Sequence, residues 1–162
     1  DKVSARDLIA TYLAWQAKNP NSIVEAEKEF SFTLAGRGIH GFIDRIERTP
    51  RGGYAVIDFK TGSSKSSGIT KKNLPENIQL NLYALAIREL YGKLPEKATL
   101  LYLRDNNPVP YEPTEESVKS FTESIGQMIT RILTGEFPAQ PGYKQCQWCP
   151  YGDLCGEREM EG

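Results

Sequence analysis

The chain has 162 residues, the length of one ordinary domain, and its 39% apolar residues are enough for a real core. No apolar run approaches the roughly 20 residues that a bilayer span needs, which excludes a membrane-spanning helix. A formal net charge of −1 gives no global attraction to nucleic acid, so a polyanionic partner would have to be held by a local basic patch or by another part of the protein.

In chain order, residues 4–18 read as a helix. Ser4 and Asp7 stand at the positions of a capping box, and Leu8, Ile9, Tyr12, Leu13 and Trp15 recur at close to the helical period. Asn19-Pro20-Asn21 ends it. Three strands follow, over about 28–34, 39–48 and 54–60, separated by the turns Gly36-Arg37-Gly38 and Pro50-Arg51-Gly52-Gly53. The Gly-, Ser- and Lys-rich segment 62–72 reads as a mobile loop. A helix over 75–91 ends at Gly92, and a strand runs over about 97–103. Asp105 to Pro110 reads as a turn-rich connection, followed by an amphipathic helix over 114–134. From Phe137 to residue 162 the chain reads as irregular. The order α-β-β-β-α-β-α makes a single α/β domain, a small mixed sheet flanked by helices. The start, Asp1-Lys2-Val3-Ser4, has neither an initiator Met nor a signal-peptide pattern, so the sequence reads as a piece of a longer protein.

The most informative stretch is Gly41-Phe42-Ile43-Asp44-Arg45-Ile46, a turn, and Val56-Ile57-Asp58-Phe59-Lys60-Thr61-Gly62. A hairpin centred on Arg51 sets Ile46 opposite Val56, Arg48 opposite Tyr54 and Asp44 opposite Asp58. Directly opposed residues have Cβ atoms about 5 Å apart. By strand alternation Asp44 shares its face with Phe42 and Ile46, and Asp58 and Lys60 share theirs with Val56. Two part-buried carboxylates repel, and a divalent cation relieves that repulsion. Mg²⁺ is characteristically held by one or two carboxylates with water and phosphate oxygens. Lys60 adds a cation that can polarise a water or stabilise charge on a phosphate.

Gly41-x-x-Asp44-Arg45, Asp58-x-Lys60-Thr61-Gly62 and Gln79-x-x-x-Tyr83, in this order, resemble the RecB/AddB branch of the PD-(D/E)XK nucleases and the related CRISPR-associated exonucleases. The resemblance covers roughly residues 25–155. It implies a restriction-endonuclease-like fold and Mg²⁺- or Mn²⁺-dependent hydrolysis of DNA phosphodiesters. Asp44, Asp58 and the main-chain carbonyl of Phe59 would hold the metal, and Lys60 would be the catalytic lysine. Glu27 would be the acidic position before the first strand, with Glu25 and Glu29 as alternatives. Gln79 and Tyr83, four apart on one helix face, would look toward the site and the DNA backbone. It further implies a helicase, in cis or as a subunit, that feeds single-stranded ends in double-strand-break repair or recombination. The rival reading is a degenerate, non-catalytic nuclease fold that binds DNA or a partner. The branch's metal-binding His lies on a helix before the first strand. His40, the only histidine here, stands elsewhere and reads as structural.

The three cysteines form Cys146-x-x-Cys149-Pro150-Tyr151-x-x-x-Cys155. An odd number so tightly spaced argues for a metal site in a reducing, cytoplasmic compartment and against a secreted disulfide scaffold. The same resemblance implies a structural [4Fe-4S] cluster whose fourth cysteine lies upstream, with Zn²⁺ as the alternative. Lys65, Lys71 and Lys72 in the loop, and Arg37, Arg45, Arg48 and Arg51 around the hairpin, are candidate phosphate contacts.

Overall fold

The structure is a computed structural model that describes residues 4–70 and 72–159. By internal packing the chain divides into two units, Asp1–Gly126 and Gln127–Gly162. The sheet and every site residue outside the cysteines lie in the first.

Helix α1 spans Ala5–Lys18. Its capping box forms as the sequence predicts: Ser4 Oγ accepts from the Asp7 amide at 3.2 Å, and Asp7 Oδ2 accepts from the Ser4 amide at 3.0 Å. The predicted apolar face docks only in part. Trp15 is buried, whereas Ile9 and Leu13 stay exposed.

The three strands after it are β1 (Ser22–Leu34), β2 (Arg37–Arg48) and β3 (Tyr54–Lys60). β1 begins six residues earlier than its pattern suggests. Most of residues 22–29 are exposed and carry no alternation, because β1 is the sheet's edge and its register shifts between Ile23 and Glu25. The β2–β3 hairpin adopts the expected register, with Arg45 opposite Ile57, Ile46 opposite Val56 and Arg48 opposite Tyr54.

The loop after β3 carries local structure at its start. Ser64–Ser66 form a 3-10 turn, and Asp105 grips the segment by accepting from Ser63 Oγ, Ser64 Oγ and the Ser64 amide at 2.8, 2.9 and 2.6 Å. A second 3-10 turn, Leu74–Glu76, precedes α2 (Ile78–Tyr91). The helix starts at Ile78 and not at 75 because Asn77 is its N-cap, accepting from the Leu80 amide at 2.9 Å. Gly92 closes it in the left-handed region (φ 75°) that glycine adopts freely.

β4 (Lys97–Tyr102) pairs parallel to β3, and β5 (Asn107–Tyr111) pairs antiparallel to β4. β5 is a correction: the stretch read as a turn-rich connection is mostly strand. Pro108 and Pro110 suggested a turn, but β5 is an outer strand, where a residue without an N–H loses no ladder bond on the open side.

The result is a five-stranded mixed sheet in the order β1-β2-β3-β4-β5 flanked by helices, an α/β fold of the restriction-endonuclease-like kind. On one face Val56, Leu100 and Tyr102 pack with Leu80, Tyr83 and Ile87 of α2. On the other, Ile57 and Leu101 pack with Trp15 of α1. α3 (Glu115–Leu133) places Val118 and Phe121 against Ala84 and Leu85 of α2. In the second unit α4 (Tyr143–Gln147) and a 3-10 turn at Gly152–Leu154 give the C-terminal segment more regular structure than its sequence suggests. Among the described residues no helix is long and apolar enough to cross a membrane.

Candidate active site

β3 is buried along most of its length because α1 and α2 cover its two faces, and Asp58 near its end is only 2% exposed. The ladder between β2 and β3 stops at Arg45–Ile57, one pair short of the two aspartates. There the Asp44 side chain supplies an acceptor in the ladder's place: its Oδ2 takes the Phe59 amide at 2.8 Å. This holds Asp44 at the strand end beside Asp58 and fixes the backbone at Phe59. Phe42, expected on the same face as Asp44, is half-exposed and outside the core.

Four side chains, Asp58 among them, close a ring. Lys60 Nζ lies 2.7 Å from Asp58 Oδ2 and donates to Gln79 Oε1 at 2.7 Å. Gln79 Nε2 donates to the Tyr83 hydroxyl at 2.8 Å, and that hydroxyl donates to Asp58 Oδ1 at 3.0 Å. One helical turn separates Gln79 from Tyr83, so α2 delivers both to the strand end together. Burial raises the Asp58 pKa above its ordinary 3.8. Lys60 and Tyr83 offset this in part, and the nearby Asp44 charge adds to it. The Tyr83 phenol is raised as well, first by burial and then by the Asp58 charge, so it stays a donor.

Whether a divalent cation suits this place can be tested on Asp58. Its Oδ2 is buried and is met by the Lys60 ammonium at 2.7 Å, and the Asp44 charge is near enough to be felt. Two neighbouring carboxylates, one of them buried, are a donor set that a hard cation fits. Asp44, Asp58 and the carbonyl of Phe59 are the residues that would hold it.

The structure also separates the three candidate glutamates. Glu25 pairs with Lys28 at 3.1 Å and Glu29 with His40 at 2.7 Å, whereas Glu27 makes no such pair among the described residues. The pairs Ala26–Arg45 and Lys28–Ile43 bracket Glu27 and Asp44, and Glu27 takes a left-handed φ of 48°. A non-glycine residue in that region is uncommon in a strand. The distortion coincides with a break in alternation, since Ile43 and Ile46, three apart, join the same core cluster. Glu27 itself is exposed. Among the described residues no three acidic, His or Cys side chains converge as one ligand set, so Glu27 is brought opposite Asp44 but not into contact with the pair.

The basic candidates need one correction. Arg45 is 2% exposed and paired with the equally buried Glu47, so it faces α1 and is no phosphate contact. Arg48 stacks 4.2 Å over the Tyr54 ring. Lys71 lies outside the described residues. In the second unit Cys146, Cys149 and Cys155 are free thiols that do not gather into one ligand set, and a cubane wants four ligands.

Two carboxylates and a lysine at the splayed end of a central hairpin, on a mixed sheet between helices, define a restriction-endonuclease-like protein. The chain belongs to the PD-(D/E)XK nuclease superfamily, whose family model matches residues 2–156. Gene 69 protein of Mycobacterium phage L5 is 27% identical over 135 residues, which cover 80% of this chain and 43% of that protein. The chain thus spans less than half the length of this relative. Among solved structures, SSO0001 is similar with a TM-score of 0.54 at 19% identity, over 94% of this chain and 68% of that one. A Eubacterium rectale protein with a provisional exonuclease designation reaches 0.59 at 16% identity, over 98% of this chain and 61% of that one. At such identities the two structures speak for the fold alone.

Proposed function

We propose that this chain is the nuclease part of a RecB/AddB-like protein and hydrolyses DNA phosphodiesters with Mg²⁺ or Mn²⁺, acting as an exonuclease on single-stranded ends delivered by a helicase in cis or in a partner subunit. The observation that carries the reading is the closed ring Asp58–Lys60–Gln79–Tyr83 beside Asp44, built on superfamily membership. A role in double-strand-break repair or recombination follows from that resemblance.

The side chains divide the work. When bound, the metal would supply Lewis-acid stabilisation of negative charge on the phosphate. Asp44 and Asp58 hold the position for it at the strand end. Lys60 is kept in one place by Asp58 and Gln79, so its ammonium can orient a water or stabilise charge on a phosphate oxygen without first reorganising. Tyr83 and Gln79 fix the rotamers of Asp58 and Lys60.

The test is cleavage of linear single- and double-stranded DNA by the protein with Mg²⁺, with Mn²⁺ and with EDTA. Asp58→Ala and Lys60→Ala should each reduce cleavage by at least a hundredfold and leave DNA affinity within a few-fold, since binding is spread over many phosphate contacts. Cleavage by both variants at the wild-type rate would rule out the assignment. DNA binding without metal-dependent cleavage by the wild type would favour a degenerate, binding-only domain.

A further inference from the structure

Beside the Asp58 ring, between the β1–β2 hairpin and the first turns of α2, lies an open groove of about 390 Å³. Phe42, His40 and Phe30 line its sheet side, and Ile78, Gln79 and Tyr83 its helix side. Two of these residues belong to both places: Gln79 accepts from Lys60 and Tyr83 donates to Asp58. Whatever fills the groove therefore lies next to the reacting phosphate.

We propose that this groove is a stacking site for one unpaired nucleobase of the DNA strand being cut, with the Phe42 ring as its platform. The inference rests on the nuclease reading and extends it to a residue outside the catalytic set. Phe42, on β2, is 49% exposed and Ile78, at the start of α2, is 46% exposed, where burial would be the default for such side chains. The Phe42 ring is held: His40 meets it edge-on at 5.4 Å, and His40 is tied to Glu29 at 2.7 Å. Phe42 stands two residues before Asp44 on the same strand, so the platform and the metal-holding carboxylate are fixed to each other. The groove's lining contains no carboxylate and no basic side chain apart from His40. That suits a neutral aromatic base, with the phosphate directed to Lys60. Base–aromatic stacking tolerates any sequence because every base has a π face. In a duplex those faces are already covered by neighbouring pairs, so the site selects an unpaired strand.

The experiment compares wild type, Phe42→Ala, Phe42→Leu and Phe42→Trp in the full protein. Affinity is measured for single-stranded and duplex oligonucleotides without divalent metal, followed by 2-aminopurine fluorescence in the single strand. Cleavage with Mg²⁺ is measured in parallel. The Ala and Leu variants should bind the single strand roughly five- to hundredfold more weakly and lose 2-aminopurine quenching. Phe42→Trp should restore both, and duplex binding should be the same in all four. If Phe42→Ala binds and quenches like a wild type that cuts DNA, the groove is no base site and the nuclease reading stands. If Phe42→Leu behaves as wild type, the contact is ordinary apolar packing and the stacking platform is wrong. A wild-type protein that neither binds nor cuts DNA overturns the nuclease reading and the platform with it.

Discussion

Asp58 carries an ionisable group into a place that disfavours its charge, and stability should record the conflict. Burial, aided by Asp44, raises its pKa on folding above the ordinary 3.8, and Lys60 and Tyr83 only partly oppose this. A carboxyl whose pKa is raised by folding stabilises the fold while protonated. That contribution is complete below a pH of about 3.8 and is lost as pH climbs through the raised value. At neutral pH the folded protein therefore holds a carboxylate that costs it stability. Asp58→Asn should abolish cleavage and raise Tm at pH 7, on a scale of about 2–4 °C per kcal/mol for a chain of this length. The gain should shrink as pH is lowered towards 4. Millimolar Mg²⁺ should raise the Tm of wild type and leave Asp58→Asn unchanged. Thermal melts across pH with Mg²⁺ or EDTA check this, and a variant less stable than wild type at pH 7 would show that the Lys60 contact outweighs burial. Gly41 acts on the same site from behind. A Cβ there would lie 2.8 Å from Phe30 Cζ, and the Phe30 ring packs edge-on against Tyr83 at 6.2 Å. Gly41→Ala should destabilise by about 1–3 kcal/mol through overpacking and slow cleavage by displacing Tyr83. Denaturant melts and turnover are the measurements, and wild-type values for both would show that Phe30 yields freely.

At the scale of elements, α1 is held to the sheet by charge as well as by Trp15. Arg45 and Glu47, each 2% exposed, form an ion pair beneath it. Arg45 Nη1 donates to the Tyr12 hydroxyl at 3.1 Å, its guanidinium lies 5.7 Å from the Trp15 ring centre, and Asn21 Nδ2 donates to Glu47 at 2.9 Å. Arg45→Ala would leave Glu47 buried without its counter-charge and should cost about 3–5 kcal/mol, whereas Arg45→Met with Glu47→Leu should lie near wild type. Chemical denaturation of both decides it; a mild loss in the single variant would mean that water reaches Glu47. This pair also marks what a sequence can and cannot disclose. The hairpin register was legible because Ile46, Val56 and Tyr54 alternate on either side of a Gly-rich turn, and the register then set Asp44 by Asp58. The burial of Arg45 was not legible, since an arginine beside a turn looks solvated until a second element covers it. β5 was hidden by prolines that only an outer strand tolerates. The anchoring of Ser63 and Ser64 was hidden because their partner, Asp105, lies about forty residues away in sequence. Local pattern thus found the strands that alternate, and missed whatever depended on distant partners.

At the scale of the whole molecule, the cysteine segment belongs to the second packing unit, Gln127–Gly162. The motif Cys146-x-x-Cys149-Pro150 resembles the end of an iron-sulfur staple, but the chain holds three cysteines in all. Four irons in a cubane ask for four ligands, usually thiolates. Asp153 and Glu157 are hard oxygen donors and poor substitutes, and Asp153 is already engaged with Arg158 at 2.6 Å. Cys146 Sγ instead accepts from the Glu159 amide at 3.4 Å, the modest role of a free thiol. A protein of this sequence alone should therefore retain well under four irons and four acid-labile sulfides per chain after purification in air. If a fourth cysteine lies upstream, as the family resemblance implies, a longer form that carries it should hold a full complement. If the cluster staples the domain's ends, that longer form should also melt at higher temperature and resist proteolysis around Cys146, because metal binding free energy becomes folding free energy. Zinc in equimolar amount, with no sulfide in either form, would reassign the motif to a zinc site. Full, air-stable iron and sulfide in the three-cysteine chain would show that a fourth thiolate is dispensable.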